Sequence, residues 1–200
     1  MKRLFVLAFV LGVVTLATST EAAVYFFTPS QPDLLDLDHR WNKSWGIDWS
    51  SHAGETITGA TLTFRNIWDW KPETDILFVT LLNNPALGIT TIWDGEDGVN
   101  QFAGMGPLVG TWTDPVGGTP SGFDLTFNFD ASLLASLNTF AADGRFGIGF
   151  DPDCHYFNDG VSLTITTADN PPPVATPEPA TMALFGLGLA GLGMIRRNKS

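Results

Sequence analysis

The chain has 200 residues, 44% of them hydrophobic and 12% aromatic, which is ample apolar material to offset chain entropy and argues against intrinsic disorder. Ten Lys and Arg stand against 21 Asp and Glu, and five of the basic residues (Lys2, Arg3, Arg196, Arg197 and Lys199) lie at the two ends. The stretch between is strongly acidic and would be repelled by phosphate backbones, so nucleic acid is discounted as a partner.

Residues 1–22 read as a secretory signal. Lys2 and Arg3 form a positive start, Leu4 to Leu16 an apolar stretch too short for a stable span, and Thr20-Glu21-Ala22 a small-residue cleavage site. Residues 23–169 then suit one domain with one core. Its single cysteine, Cys154, cannot form an intrachain disulfide. It reads either as a small buried hydrophobe or as a reactive or intermolecular thiol.

Most of this domain reads as strand. Val24 to Phe27 opens it. Ile57 to Phe64 alternates, with Ala60, Leu62 and Phe64 on one face. Ile76 to Leu82 is a continuous apolar run of buried-strand length; Gly88 to Trp93 and Leu108 to Trp112 are shorter. Phe123, Leu125, Phe127 and Phe129 alternate with Asp124, Thr126 and Asn128, the clearest half-buried strand. Arg145 to Phe150 and Val161 to Thr167 complete the set. One short helix is expected after Asp130 as its cap, with Leu133, Leu137 and Phe140 on one face and Gly144 beyond its end. Short strands separated by turn clusters such as Asn83-Asn84-Pro85 and Pro115 to Gly118 predict a mainly β domain, an antiparallel β-sandwich of jelly-roll type.

Residues 170–179 form a proline-rich stalk that favours extended geometry. Residues 180–200 begin with an uncharged stretch, Ala180 to Ile195, and end in Arg196, Arg197 and Lys199. As a helix the uncharged stretch rises about 24 Å, short of a hydrocarbon core of ~30 Å, so a transmembrane span here would be a weak one. The basic end sets a cytoplasmic C-terminus and leaves the domain outside. Gly186 to Gly191 matches GxGxxG but follows no strand and belongs to no βαβ unit, so it reads as small residues in a membrane helix.

Pro177-Glu178-Pro179, a short apolar Gly/Leu helix and the cluster led by Arg196 and Arg197 together resemble the PEP-CTERM sorting signal. The resemblance implies processing near the motif by an exosortase, a membrane enzyme of Gram-negative bacteria that make extracellular polysaccharide. It also implies a membrane-anchored precursor destined for the cell surface or matrix. Two stretches, around Asn66-Ile67-Trp68-Asp69-Trp70 and around Asp151 to Gly160, are similar to an ectodomain type of other PEP-CTERM proteins, a likeness that transfers no activity.

Within the domain, seven tryptophans lie between residues 41 and 112. Trp41, Trp45 and Trp49 are four apart, hence on one face of a strand or one side of a helix. Aromatic faces stack on sugar rings, which makes these three candidate glycan-binding residues; filling the core is the competing role. Asp151, Asp153, Asn158 and Asp159 bracket one turn and are candidate Ca2+ ligands, although the spacing is not that of an EF-hand and such turns also bond their own backbone. Asp94, Glu96 and Asp97 form a weaker second group. His39, His52 and His155 show no zinc-type spacing. Cys154 and His155, being adjacent, are expected on opposite faces. No nucleophile elbow or P-loop is present.

The expectation is an exported, non-enzymatic cell-envelope or matrix protein, structural or adhesive, that binds extracellular polysaccharide. A polysaccharide hydrolase and a protein-binding scaffold are the alternatives.

Overall fold

The computed structural model describes residues 22–72, 75–95, 98–118 and 122–168. The expected secretory signal up to Glu21, the proline-rich stalk and the sorting tail lie outside the described residues. Those that are described form a mainly antiparallel β structure with one α-helix.

Side-chain alternation organises the first sheet. In β3 (Thr56–Asp69), Ile57, Ala60, Leu62, Phe64, Ile67 and Asp69 turn inward. That sequence of positions breaks strict period two twice, and each break coincides with a register shift. The second shift, between Phe64 and Ile67, places Asn66 at φ 46°, in the left-handed region that asparagine tolerates. Without this second bulge Ile67 and Asp69 would lie on the face opposite Leu62 and Phe64. β10 (Val161–Ala168) buries Val161, Leu163, Ile165 and Thr167 against it. β1 (Ala23–Phe27) lies on the outer side of β10 with Tyr25 and Phe27 inward. β7 (Phe123–Asn128) flanks β3 on the other side, and β9 (Tyr156–Phe157) pairs with its last residues.

The second sheet has the order β5 (Gly88–Trp93), β2 (Trp41–Asp48), β8 (Arg145–Pro152), β4 (Leu77–Asn83), β6 (Leu108–Trp112), again antiparallel throughout. Its inward residues Trp45, Ile47, Val79, Leu81, Phe146, Ile148 and Phe150 share one core with those of the first sheet. Phe64 meets Phe150 edge to face at 5.7 Å, joining the two sheets. Helix α1 (Ala131–Ala141) closes one end. Asp130 caps it by accepting the Leu133 N–H, Leu133, Leu137 and Ala141 are buried, and Gly144 beyond it has φ 79°.

Most expected strands form close to their expected bounds, but β2 was not among them. Its sequence, WNKSWGID, carries Asn42 and Ser44 on the face opposite Trp45, and both are buried as well. Phe102, itself buried, sits on Gly149 of the neighbouring strand, where any added Cβ would come within 2.8 Å of the ring. Conversely, β7 is an edge strand: Leu125 and Phe127 are half-buried, whereas Phe123 is exposed. Phe129 is buried just past its end.

Candidate functional site

The inward parity of β3 carries a carboxylate to its end. Asp69 is fully buried, and its backbone N–H donates to Asp114 Oδ2 at 3.1 Å. Asp114 is satisfied further by the N–H groups of Val116 and Gly117. Gly117 takes φ 65° because the loop lies directly on Lys71 and Pro72, and the next N–H, of Gly118, donates to the Asp69 carbonyl at 2.6 Å. Asp69 Oδ2, by contrast, has no hydrogen-bond partner.

Two further groups meet Asp69. Cys154 comes from the bend between β8 and β9, and Asp75 from the residues just before β4. One ligand atom from each of Asp69, Asp75 and Cys154 lies within 4.8 Å of the others. Beneath them Tyr156 is fully buried with an unpartnered hydroxyl. Burial pushes the Asp69 carboxyl up, against hydrogen bonds from Cys154 and from the N–H groups of Lys71 and Trp70. Burial and the Asp69 carboxylate push the Cys154 thiol up to about 12, so it is a thiol and no nucleophile. Burial and the same acids raise the Tyr156 phenol.

The cluster opens on a cavity of about 380 Å³ lined by Asp75, Asp153, Cys154, His39 and His155, with Trp70 and Lys71 at its edge. Trp70 is 57% exposed, and the Lys71 ammonium lies 5.5 Å from its ring centroid. His155 is held by stacking on Phe157, which stacks in turn on Trp68. Contrary to strand alternation, Cys154 and His155 line the same cavity, because they sit in a bend where period two does not apply. A second buried carboxylate sits on the outer face of β8, opposite in parity to the inward Phe150: Asp151 Oδ2 accepts the Gln101 N–H at 2.6 Å, and the Asp94 side chain lies beside it. Burial, then the neighbouring Asp94, raises its carboxyl to about 7.

The three expected glycan-stacking tryptophans separate. Trp45 and Trp49 are 4% and 1% exposed and offer no face to a sugar: Trp45 is on the inward face of β2, and Trp49, just past its end, packs on Tyr25, Phe27 and Phe146. Trp41, at the strand's start, is 39% exposed and packs edge to face on the exposed Trp93 at 4.9 Å. The expected Ca2+ ligands also divide. Asp151 and Asp153 belong to the acidic end, Asp153 Oδ1 accepting the Gly98 N–H. Asn158 instead accepts the Gly160 N–H and donates to the Asp33 carbonyl, and Asp159 accepts from Asn66 Nδ2. Asp94, of the second expected acidic group, meets Asp151, whereas Asp69 and Asp75, far apart in sequence, meet at Cys154, a grouping that no local spacing reveals.

Residues 175–198 match the PEP-CTERM protein-sorting motif, spanning Pro177, Glu178, Pro179, Arg196 and Arg197. The chain carries a PEP-CTERM sorting signal. The motif implies an exported protein, held as a membrane-anchored precursor, processed by an exosortase and sorted to the cell surface. No curated protein matches this chain by sequence. Two solved structures of recombinantly expressed latent aurone synthase (polyphenol oxidase) show a distant likeness. Both were co-crystallized with hexatungstotellurate(VI), one also soaked in H2O2, and both have 9% identity and a TM-score of 0.34. The matched region covers 75% and 77% of this chain but only 25% and 27% of theirs, about a quarter of their length. Among the described residues, no helix is long and apolar enough to cross a membrane.

Proposed function

We propose that the exported domain is a non-enzymatic glycan-binding module, structural or adhesive at the cell surface or in the polysaccharide matrix. The observation that carries this reading is the polar cavity lined by Asp75, Asp153, His39 and His155 together with the exposed Trp70. An indole face meets the C–H face of a sugar ring, while carboxylates and imidazoles beside it hydrogen-bond the hydroxyls. Trp41 and Trp93 add a second aromatic surface beginning two residues after His39. A hydrolase would need an accessible carboxylic acid poised near neutrality. Asp151 has that proton affinity, but it is fully buried and does not line the cavity.

The test is affinity electrophoresis of the full-length protein in the producing cell's own extracellular polysaccharide. Trp70→Ala is expected to weaken retardation about tenfold, the scale of a lost aromatic anchor, with an unchanged melting temperature. Retardation untouched by Trp70→Ala and by Trp41→Ala would overturn the site. No retardation of the parent protein would favour a scaffold with protein partners, and new reducing ends would favour the hydrolase.

A further inference from the structure

We propose that Asp69, Asp75 and Cys154 form a binding site for a divalent transition-metal ion of the zinc class, with an open coordination position facing the cavity. Independent observations converge on it. Two carboxylate oxygens and one thiol sulfur lie within 4.8 Å of one another, although they come from three separate segments. Asp69 is fully buried, and its Oδ2 is left without any hydrogen-bond partner. A buried polar atom is nearly always paired, and a buried carboxylate oxygen facing other acids lacks the group that would pair it. A dication supplies that partner.

The sulfur selects the metal. Ca2+ and Mg2+ take oxygen ligands, whereas Zn2+ accepts thiolate, imidazole and carboxylate alike. In a tetrahedral zinc site, bond lengths of about 2.0–2.3 Å put neighbouring ligand atoms about 3.5 Å apart. The side chains therefore need to draw in by about 1 Å from the outer limit of their present spacing. On binding, the Cys154 S–H loses its proton to solvent and the sulfur bonds the metal; nothing is oxidised or reduced.

The backbone holds the ligands where a metal needs them. Asp69 pairs with Tyr156 across the β3–β9 ladder, and the Ile76 carbonyl next to Asp75 accepts the Asp153 N–H next to Cys154 at 3.0 Å. Asp75 and Cys154 also line the cavity, which gives the ion a route in. His39 and His155 line the same cavity, where a sugar hydroxyl on the open coordination position would lie. The metal site would then deepen the glycan reading, but it does not depend on it, since it is measured without polysaccharide.

The experiment uses the full-length protein stripped with EDTA, then titrated with Zn2+ by calorimetry and with Co2+ by absorption. Expected are one equivalent of Zn2+, a higher melting temperature that EDTA reverses, and a thiolate-to-cobalt charge-transfer band in the near ultraviolet. Cys154→Ser exchanges a single atom and is expected to abolish that band and weaken Zn2+ by about 100-fold or more, as loss of one of three protein ligands should. Asp69→Asn is expected to weaken it comparably, whereas Asp159→Asn, on the far side of the bulge, leaves it unchanged. Cobalt binding without a thiolate band would overturn the proposal, as would Zn2+ affinity unaltered by Cys154→Ser. Ca2+ binding tighter than Zn2+ and indifferent to Cys154→Ser would replace it with an all-oxygen site.

Discussion

The two ends of β3 solve the same problem in opposite ways. At the Thr56 end, Glu55 accepts the Tyr25 hydroxyl through both oxygens at 2.8 and 2.9 Å and the Thr167 hydroxyl at 2.8 Å, with His52 at 3.2 Å. Partial burial works against its charge, but the bonds from Thr167, Tyr25 and His52 outweigh it and hold Glu55 below the ordinary glutamate value. Asn138 of α1 acts there as a strand substitute: its amide accepts the Ile57 N–H and donates to the Ile57 carbonyl, both at 2.8 Å. At the Asp69 end, burial prevails. Asp69 Oδ2 and Tyr156 Oη are buried without partners, and the Asp69 carboxyl is pushed up rather than down. One end is organised for stability. The other leaves polar atoms unsatisfied beside a cavity, the pattern expected where a ligand completes the structure.

Substitutions at the two ends should therefore differ in sign as well as size. The largest effect is expected at Trp49, 1% exposed and packed against Tyr25, Phe27 and Phe146: Trp49→Ala should cost about 3–5 kcal/mol in urea unfolding. Asn138→Ala leaves both Ile57 backbone groups without their partner and should cost about 2 kcal/mol. On the outer face of β8, pH is the sharper probe. Folded Asp151 keeps its proton up to about 7, against an ordinary aspartate value of 3.8. Between those values the folded state binds more protons than the unfolded chain, so stability falls as pH rises, by about 1.4 kcal/mol per unit at the steepest. Asp151→Asn should flatten that slope in melting curves taken from pH 4 to 8. The smallest effect is Asp69→Asn in EDTA, which removes an uncompensated buried charge and should be neutral or stabilising by about 1 kcal/mol. A loss of several kcal/mol there would erase the contrast between the two ends.

The sequence revealed elements whose environment is simple. β5 and β6 keep the bounds that their composition implies, and Asp130, Leu133, Leu137 and Gly144 announced α1. β2 was illegible because both of its faces are covered; Asn42, Lys43 and Ser44 are buried through tertiary contacts, Lys43 Nζ donating to Thr91 Oγ1 at 3.1 Å. The same double burial moved Trp45 and Trp49 from candidate surface to core, whereas Trp41, at the strand's end, stayed exposed. The acidic cluster was illegible for a different reason. Asp69 and Cys154 meet only because β9 pairs with the end of β3, and Asp69 faces inward only because of a bulge upstream of it. Local spacing around Asp151 to Asp159 pointed instead to residues that the turn divides between different partners.

The pairing of β10 also fixes how the domain bears force. Ala168, after which the chain runs on to its sorting tail, pairs with Thr56, at the opposite end of β3 from Asp69. The tether and the cavity are thus separated by the length of a 14-residue strand, roughly 40 Å of contour. A polymer pulling at the cavity against an anchor at the tail would load β10 along its axis, between β1 on one side and β3 on the other. Two ladders would have to shear together, whereas a tether on an edge strand would peel away one hydrogen bond at a time. The strand order therefore sets the load at Ala168 against two ladders at once.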